Sequence, residues 1–219
     1  MPEHRSDAEK EIRDAVVARL RMARPNARII HEINLLDGLV RCDVMAVDRS
    51  EIVTVEIKSE RDKLDRLETQ LDAMRRTSHT AIAALHRKFI PQDQIEARAT
   101  MPRIDFMKYD QIVWWYPGAQ DFAEAHHPAF CWKEPPIENG IQNPLPPEAM
   151  SLLHAGEMAA MCANLGISTP RKANMKQMER ALRWSASGRD ICLQICGALR
   201  ARTRAAEADD PITTLEATE

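Results

Sequence analysis

Hydrophobic and polar positions change period several times along this 219-residue chain. Between residues 7 and 23 the apolar positions Ile12, Val16, Leu20 and Ala23 recur at helical spacing and predict an amphipathic helix. Ser6-Asp7-Ala8-Glu9 is a capping-box signature at its start, and Arg24-Pro25-Asn26 ends it. The period then shortens to two. Residues 27–34, 39–47 and 51–56 read as strands, with turn residues at Asp37-Gly38 and Asp48-Arg49-Ser50. Leu64, Leu67, Leu71 and Met74 return to helical spacing and predict a second helix over residues 59–76. Residues 80–85 form a short apolar run, and 111–116 contain the strongly β-prone Ile-Val-Trp-Trp-Tyr. Both read as strands.

The pattern predicts two parts. Residues 1–116 hold the helices and strands above. Residues 117–147 are rich in proline and long for a connection inside a compact domain, so they mark a boundary, with a short strand at Phe130-Cys131-Trp132. Residues 148–205 are helical in pattern, broken at 166–170 and again at 185–188, which leaves about three helices. Methionines 150, 158, 161, 175 and 178 read as packing residues there. Residues 206–219 form an acidic tail expected to be disordered.

Composition narrows the reading. A hydrophobic content of 44% supports a core, but aromatics make up only 5%, so Leu, Ile, Val, Ala and Met must fill it. The net charge of −3 does not identify a partner, because a nucleic-acid protein can be acidic overall when its charge is segregated. Residues 170–204 carry nine Lys/Arg against two acids, a local surplus of +7 suited to a phosphate backbone. The five cysteines are odd in number and irregularly spaced, which argues against a disulfide framework; Cys192 and Cys196 read as core residues. The polar N-terminus does not read as a signal peptide, and no apolar run approaches the roughly 18 residues of a membrane span. A cytoplasmic protein without a membrane partner is expected. His126, His127 and Cys131 form a poor zinc pattern, and no Gly-rich phosphate loop supports an ATP-driven activity.

The chemistry concentrates in Arg41-Cys42-Asp43-Val44 and Val55-Glu56-Ile57-Lys58-Ser59. Alternate strand residues share a face, so Glu56 and Lys58 point the same way, and a hairpin brings Asp43 beside them. Two carboxylates and a lysine on one sheet face suffice to hold a divalent cation and orient a water. The competing reading is a surface hairpin with a salt bridge.

In that order these residues resemble the PD-(D/E)XK nuclease superfamily. The likeness extends over about residues 8–90, through Glu11-Ile12-Arg13, Ile29-Ile30-His31-Glu32, Gly38-x-x-Arg41-x-Asp43, and Glu56-Ile57-Lys58-Ser59-Glu60-Arg61-Asp62-Lys63-Leu64-x-Arg66-Leu67-x-x-Gln70. It is similar to a compact branch of nuclease-like proteins of bacteria and phages. The chain departs from that branch at Glu68, where proline is usual, at Met74, where tyrosine is usual, and at Leu39, where an acid is usual.

The resemblance implies an α/β fold with a restriction-endonuclease-like αβββαβ core, followed here by the C-terminal helical subdomain. It implies Mg²⁺ or Mn²⁺ held by Asp43, Glu56 and the Ile57 carbonyl, with Lys58 positioning the attacking water. Such sites take a further acid from the first helix. Glu11 matches the pattern better than Glu9, which the cap uses, and Glu32 is another candidate ligand. Gln70 is expected to face the metal site. Lys63 and Arg66, and with them Arg75, are candidate nucleic-acid contacts, as are Arg171, Lys172 and Lys176; Asp62 and Arg66 equally form a plain helix-surface pair. His86 ends a strand near the site. The expectation is a metal-dependent nuclease of a phage or mobile element, acting on DNA rather than RNA, with a homodimer as the oligomeric form to test. The alternatives are an inactive nucleic-acid-binding module on the same fold and an interaction protein using its basic helices.

Overall fold

A computed structural model describes residues 7–96, 102–108, 110–117, 132, 134–203 and 207–213. Helix α1 (Asp7–Ala23) buries Ile12, Val16 and Leu20, the stripe its sequence spacing predicts. Ser6, the predicted cap, lies outside the described residues. Strands β1 (Arg28–Leu35), β2 (Val40–Val47) and β3 (Ile52–Lys58) follow as an antiparallel meander. Helix α2 (Leu67–Arg75) crosses over to β4 (Thr80–His86), which runs parallel to β3, and β5 (Ile112–Tyr116) runs parallel to β4. A short helix α3 (Gln92–Glu96) lies between β4 and β5. With β6 (Glu207–Ala208) the sheet has, among the described residues, six strands in the order β5-β4-β3-β2-β1-β6. The fold is mixed α/β, and its element order from α1 to β4 follows the sequence pattern.

Both faces of the sheet are covered, so central β3 is buried along its whole length. On one face α1 packs against Ile29, Val44, Val55, Ile57 and Trp114. On the other, α2 contributes Leu67, Leu71 and Met74 to a cluster with Cys42, Met45, Ile52 and Leu85.

The second helix starts later than the pattern predicts. Ser59 donates its backbone N–H and its hydroxyl to Asp62 Oδ2, at 2.7 and 2.5 Å. Such local side-chain bonds compete with helix formation, and the chain stays non-helical until Leu67. Asp62 and Arg66 therefore do not form a helix-surface pair. The predicted Asp37-Gly38 turn is a 3₁₀ turn (Leu36–Gly38) whose three residues have φ of 49°, 58° and 88°.

After a 3₁₀ turn at Pro147–Leu152 come α4 (Ala155–Asn164), α5 (Met175–Ser185) and α6 (Gly188–Ala201). Their Met158, Met161, Met178, Leu182, Ile195 and Leu199 join the same buried cluster as Met45, Leu71 and Leu85. The stretch at 117–147 thus does not separate two hydrophobic cores: the C-terminal helices complete the α2 face of the sheet. Part of that stretch is itself built in. Arg24 and Glu51 form a buried two-point pair at 2.7 and 3.0 Å, and Glu51 also accepts the Glu138 N–H at 2.8 Å. Gly140 passes so close that a Cβ there would lie 2.1 Å from the Ser50 carbonyl oxygen. Of the strand expected at 130–132, Phe130 and Cys131 lie outside the described residues.

The expected acidic disorder does not extend to residues 207–213. Strand β6 pairs with β1, Asp209 Oδ2 accepts the Ile29 N–H at 3.0 Å, and Asp209 Oδ1 pairs with Arg21 at 2.6 Å. Among the described residues no helix is long and apolar enough to cross a membrane.

Candidate active site

Strands β2 and β3 pair regularly from Val47 opposite Ile52 to Val44 opposite Val55. At the end of that ladder, Asp43 Oδ2 accepts the Ile57 backbone N–H at 2.7 Å. The carboxylate thus takes the place of a ladder carbonyl where the strands part. Next along β3, Glu56 is only 2% exposed. Lys58 Nζ donates to Glu56 Oε1 at 2.6 Å, and Gln70 Nε2, from the first turn of α2, donates to the same oxygen. Among the described residues, Glu56 Oε2 and Gln70 Oε1 are buried acceptors without a hydrogen-bond partner. Leaving such atoms unpaired is costly, which makes each one an invitation to a donor or a cation.

Burial, reinforced by the nearby Asp43 charge, pushes the Glu56 carboxyl up to about 8, against the pull of Lys58 and Gln70. Burial also raises Asp43, opposed by the Ile57 N–H and by the charges of Arg13 and Lys58.

A second cluster adjoins the first. The buried Arg13 guanidinium, from α1, donates to the Asp43 carbonyl at 2.7 Å, to Glu9 at 2.7 Å and to Glu32 at 3.1 Å, and lies 3.5 Å from Asp43 Oδ1. Carboxylate oxygens of Glu9, Glu32 and Asp43 lie within 4.8 Å of one another, a spacing that suits a cation. Glu32 sits mid-strand with φ of 54°, between His31 opposite Val44 and Ile33 opposite Cys42. A non-glycine residue there is strained by about 1 kcal/mol or more. From this position its two carboxylate oxygens reach Arg13 and Arg41.

Asp43, Glu56, Ile57, Lys58 and Gln70 therefore come together, and Glu32 joins them through Arg13. Glu11 does not join them: it is exposed and lines a depression with Glu60, His86 and Tyr116. Glu9 takes the place expected of Glu11, because α1 turns Glu9 and Arg13, four residues apart, toward the sheet. That i,i+4 spacing is the available signal for Arg13, which sequence reasoning missed.

His86 accepts the Lys88 N–H at 3.2 Å and caps the 3₁₀ turn Arg87–Phe89. Lys63 and Arg66 are exposed on the loop between β3 and α2. Arg75 instead donates to Gln111, which ties α2 to the start of β5. Arg171 and Lys172 are exposed ahead of α5, and Lys176 is exposed on it. His126, His127 and Cys131 lie outside the described residues.

The donor set suits a hard divalent cation. It offers only oxygen atoms, two of them buried and without a hydrogen-bond partner among the described residues, and the Asp43 charge acts on Glu56.

Residues 3–97 match the model of a family described as bacteriophage P4 protein cII, a likeness to a phage protein. The matched span contains Glu9, Arg13, Glu32, Asp43, Glu56, Lys58 and Gln70. No curated protein matches the chain. No solved structure matches it either.

Proposed function

We propose that this chain is a divalent-metal-dependent nuclease of a phage or mobile element that hydrolyses phosphodiester bonds, in DNA rather than RNA. The observation that carries the reading is the buried Glu56, joined to Lys58 and Gln70 through one oxygen, while its other oxygen and that of Gln70 lack partners among the described residues and the Asp43 charge acts on it. A buried carboxylate in such a state is poorly explained as a structural salt bridge, which would pair both oxygens. The order of elements from α1 to β4 also suits a restriction-endonuclease-like core.

In this reading Asp43, Glu56 and the Ile57 carbonyl hold Mg²⁺ or Mn²⁺. The ion, when bound, supplies charge that polarises a phosphodiester and acidifies a water. Lys58 presents its ammonium beside the scissile phosphate, where it stabilises developing negative charge and orients the nucleophile. Gln70 fixes the Glu56 carboxylate from α2. Arg13 holds Asp43 through its carbonyl and balances Glu9 and Glu32.

Cleavage of single-stranded, duplex and branched DNA with Mg²⁺ or Mn²⁺ tests the proposal, with EDTA and Lys58→Ala as controls. Metal-dependent cleavage lost in Lys58→Ala supports it. A folded protein that binds these substrates without cutting any of them supports the second reading, a nucleic-acid-binding module without turnover. One observation favours that alternative: Arg13 already occupies the space among Glu9, Glu32 and Asp43 with its own positive charge.

A further inference from the structure

Helix α5 carries a surface that the proposed active site does not use. Its Met178 and Leu182 are buried in the core. Lys176, Arg180, Arg183 and Trp184 are exposed. At 100° per residue these four fall within one arc of about 100° on the helix. Trp184 is 92% exposed, whereas Trp114 and Trp115 are buried and Trp132 stacks on Trp114 with ring centroids 4.9 Å apart. Arg171 and Lys172 extend the positive charge just ahead of the helix. Glu179, the one acid on α5, pairs with Arg183 at 2.7 Å.

We propose that this arc is a binding platform for single-stranded nucleic acid, with Trp184 stacking on an unpaired base while Lys176, Arg180, Arg171 and Lys172 follow the phosphates. The charge selects a polyanion. The indole selects among polyanions: an unpaired base offers a free face to stack on, whereas bases within a duplex are already stacked on their neighbours. A protein partner would leave the run of cations without a purpose unless it were strongly acidic. The proposal rests on the reading that the chain binds nucleic acid but is independent of whether it cuts it.

The test uses the full-length chain in EDTA, with a labelled oligo-dT and a duplex of equal length as probes. Trp184→Ala is expected to weaken oligo-dT binding about tenfold, while duplex binding changes less than twofold and Trp184→Phe retains most of the affinity. Oligo-dT should quench the intrinsic fluorescence of the unaltered protein but not that of Trp184→Ala. The double variant Lys176→Ala/Arg180→Ala should weaken both probes and lower the single-strand salt slope by about 0.7 for each phosphate no longer engaged. The proposal is overturned if Trp184→Ala binds oligo-dT as tightly as the unaltered chain, or if it loses affinity for both probes equally. It is also overturned if Trp184→Ala turns a dimer into a monomer with oligonucleotide affinity unchanged, which would mark a protein–protein surface. Binding of neither probe by the unaltered chain overturns it together with the nucleic-acid reading. Metal-dependent cleavage by the unaltered chain, together with oligo-dT binding that is indifferent to Trp184 and its neighbours, overturns it alone.

Discussion

Asp43 closes the gap between β2 and β3 with its side chain: Oδ2 accepts the Ile57 N–H at 2.7 Å, while the Asp43 carbonyl accepts from Arg13. One residue thus satisfies a strand backbone and presents a carboxylate to the proposed metal. The two roles separate by substitution. Asp43→Asn keeps an acceptor for Ile57 and should fold with nearly unchanged stability, whereas Asp43→Ala leaves that N–H unpaired and should lose about 1–3 kcal/mol. Both should lose metal-dependent cleavage. Thermal melts and cleavage assays on the two variants check this, and full activity in Asp43→Asn would remove Asp43 from the ligand set.

Glu56 makes stability depend on pH. Its carboxyl is raised from the ordinary 4.5 to about 8 in the folded chain, so the folded state holds the proton more tightly than the unfolded one. The contribution is fully present below about pH 4.5 and is lost as pH rises to about 8, on the order of a few kcal/mol. Metal-free denaturant titrations between pH 5 and 9 should therefore show stability falling as pH rises, and Glu56→Gln should flatten that part of the profile. Mg²⁺ should bind more tightly toward pH 8 and release protons on binding. A profile for Glu56→Gln that parallels the unaltered protein would mean that Glu56 is not the titrating group.

Arg13 is held by three carboxylates at once. Arg13→Met removes the cation that all three share and leaves Glu9, Glu32 and Asp43 facing one another. The variant should lose about 3 kcal/mol or more in EDTA. Millimolar Mg²⁺ should restore part of this loss, because a cation can then take the place of the guanidinium. Calorimetric melts with and without Mg²⁺ measure both effects. Destabilisation that Mg²⁺ does not relieve would make the Glu9–Glu32–Asp43 cluster purely structural.

The sequence pattern reaches Asp43, Glu56 and Lys58 because period-two alternation and a short turn determine which strand residues meet, with little dependence on the rest of the chain; Gln70, on α2, is expected there only from the family resemblance. Choosing between Glu9 and Glu11 is a different problem. Their positions differ by the rotation of α1 against the sheet, which packing of Ile12, Val16 and Leu20 decides. The late start of α2 is hidden because Leu64 keeps helical spacing while Ser59 and Asp62 bond locally. Composition likewise makes residues 207–213 look disordered, since nothing local shows that Asp209 meets Ile29 and Arg21 from the far end of the chain. The helical stripe at Met158, Met161, Met178 and Leu182 announces burial but not its partner, the α2 face of the sheet.

Arg28 shows how that partnership is held. From the first residue of β1 its Nη1 donates to the carbonyls of Leu199, Arg200 and Arg202 at 2.8, 3.1 and 2.6 Å, and its Nε donates to Asp209. Leu199 and Arg200 lie in the last turn of α6, whose carbonyls lack intrahelical partners, and Arg202 caps it; a cation there is also favoured by the helix dipole. Arg28→Met keeps much of the apolar stem but abandons all four acceptors. It should destabilise the chain by about 2–4 kcal/mol, read from denaturant midpoints. Deleting residues 148–219 is the stronger perturbation. It would uncover Met45, Leu71 and Leu85, so the remainder should aggregate or unfold. A soluble, cooperatively folding 1–147 fragment, together with an Arg28→Met variant as stable as the unaltered chain, would mean that the sheet stands without its C-terminal helices.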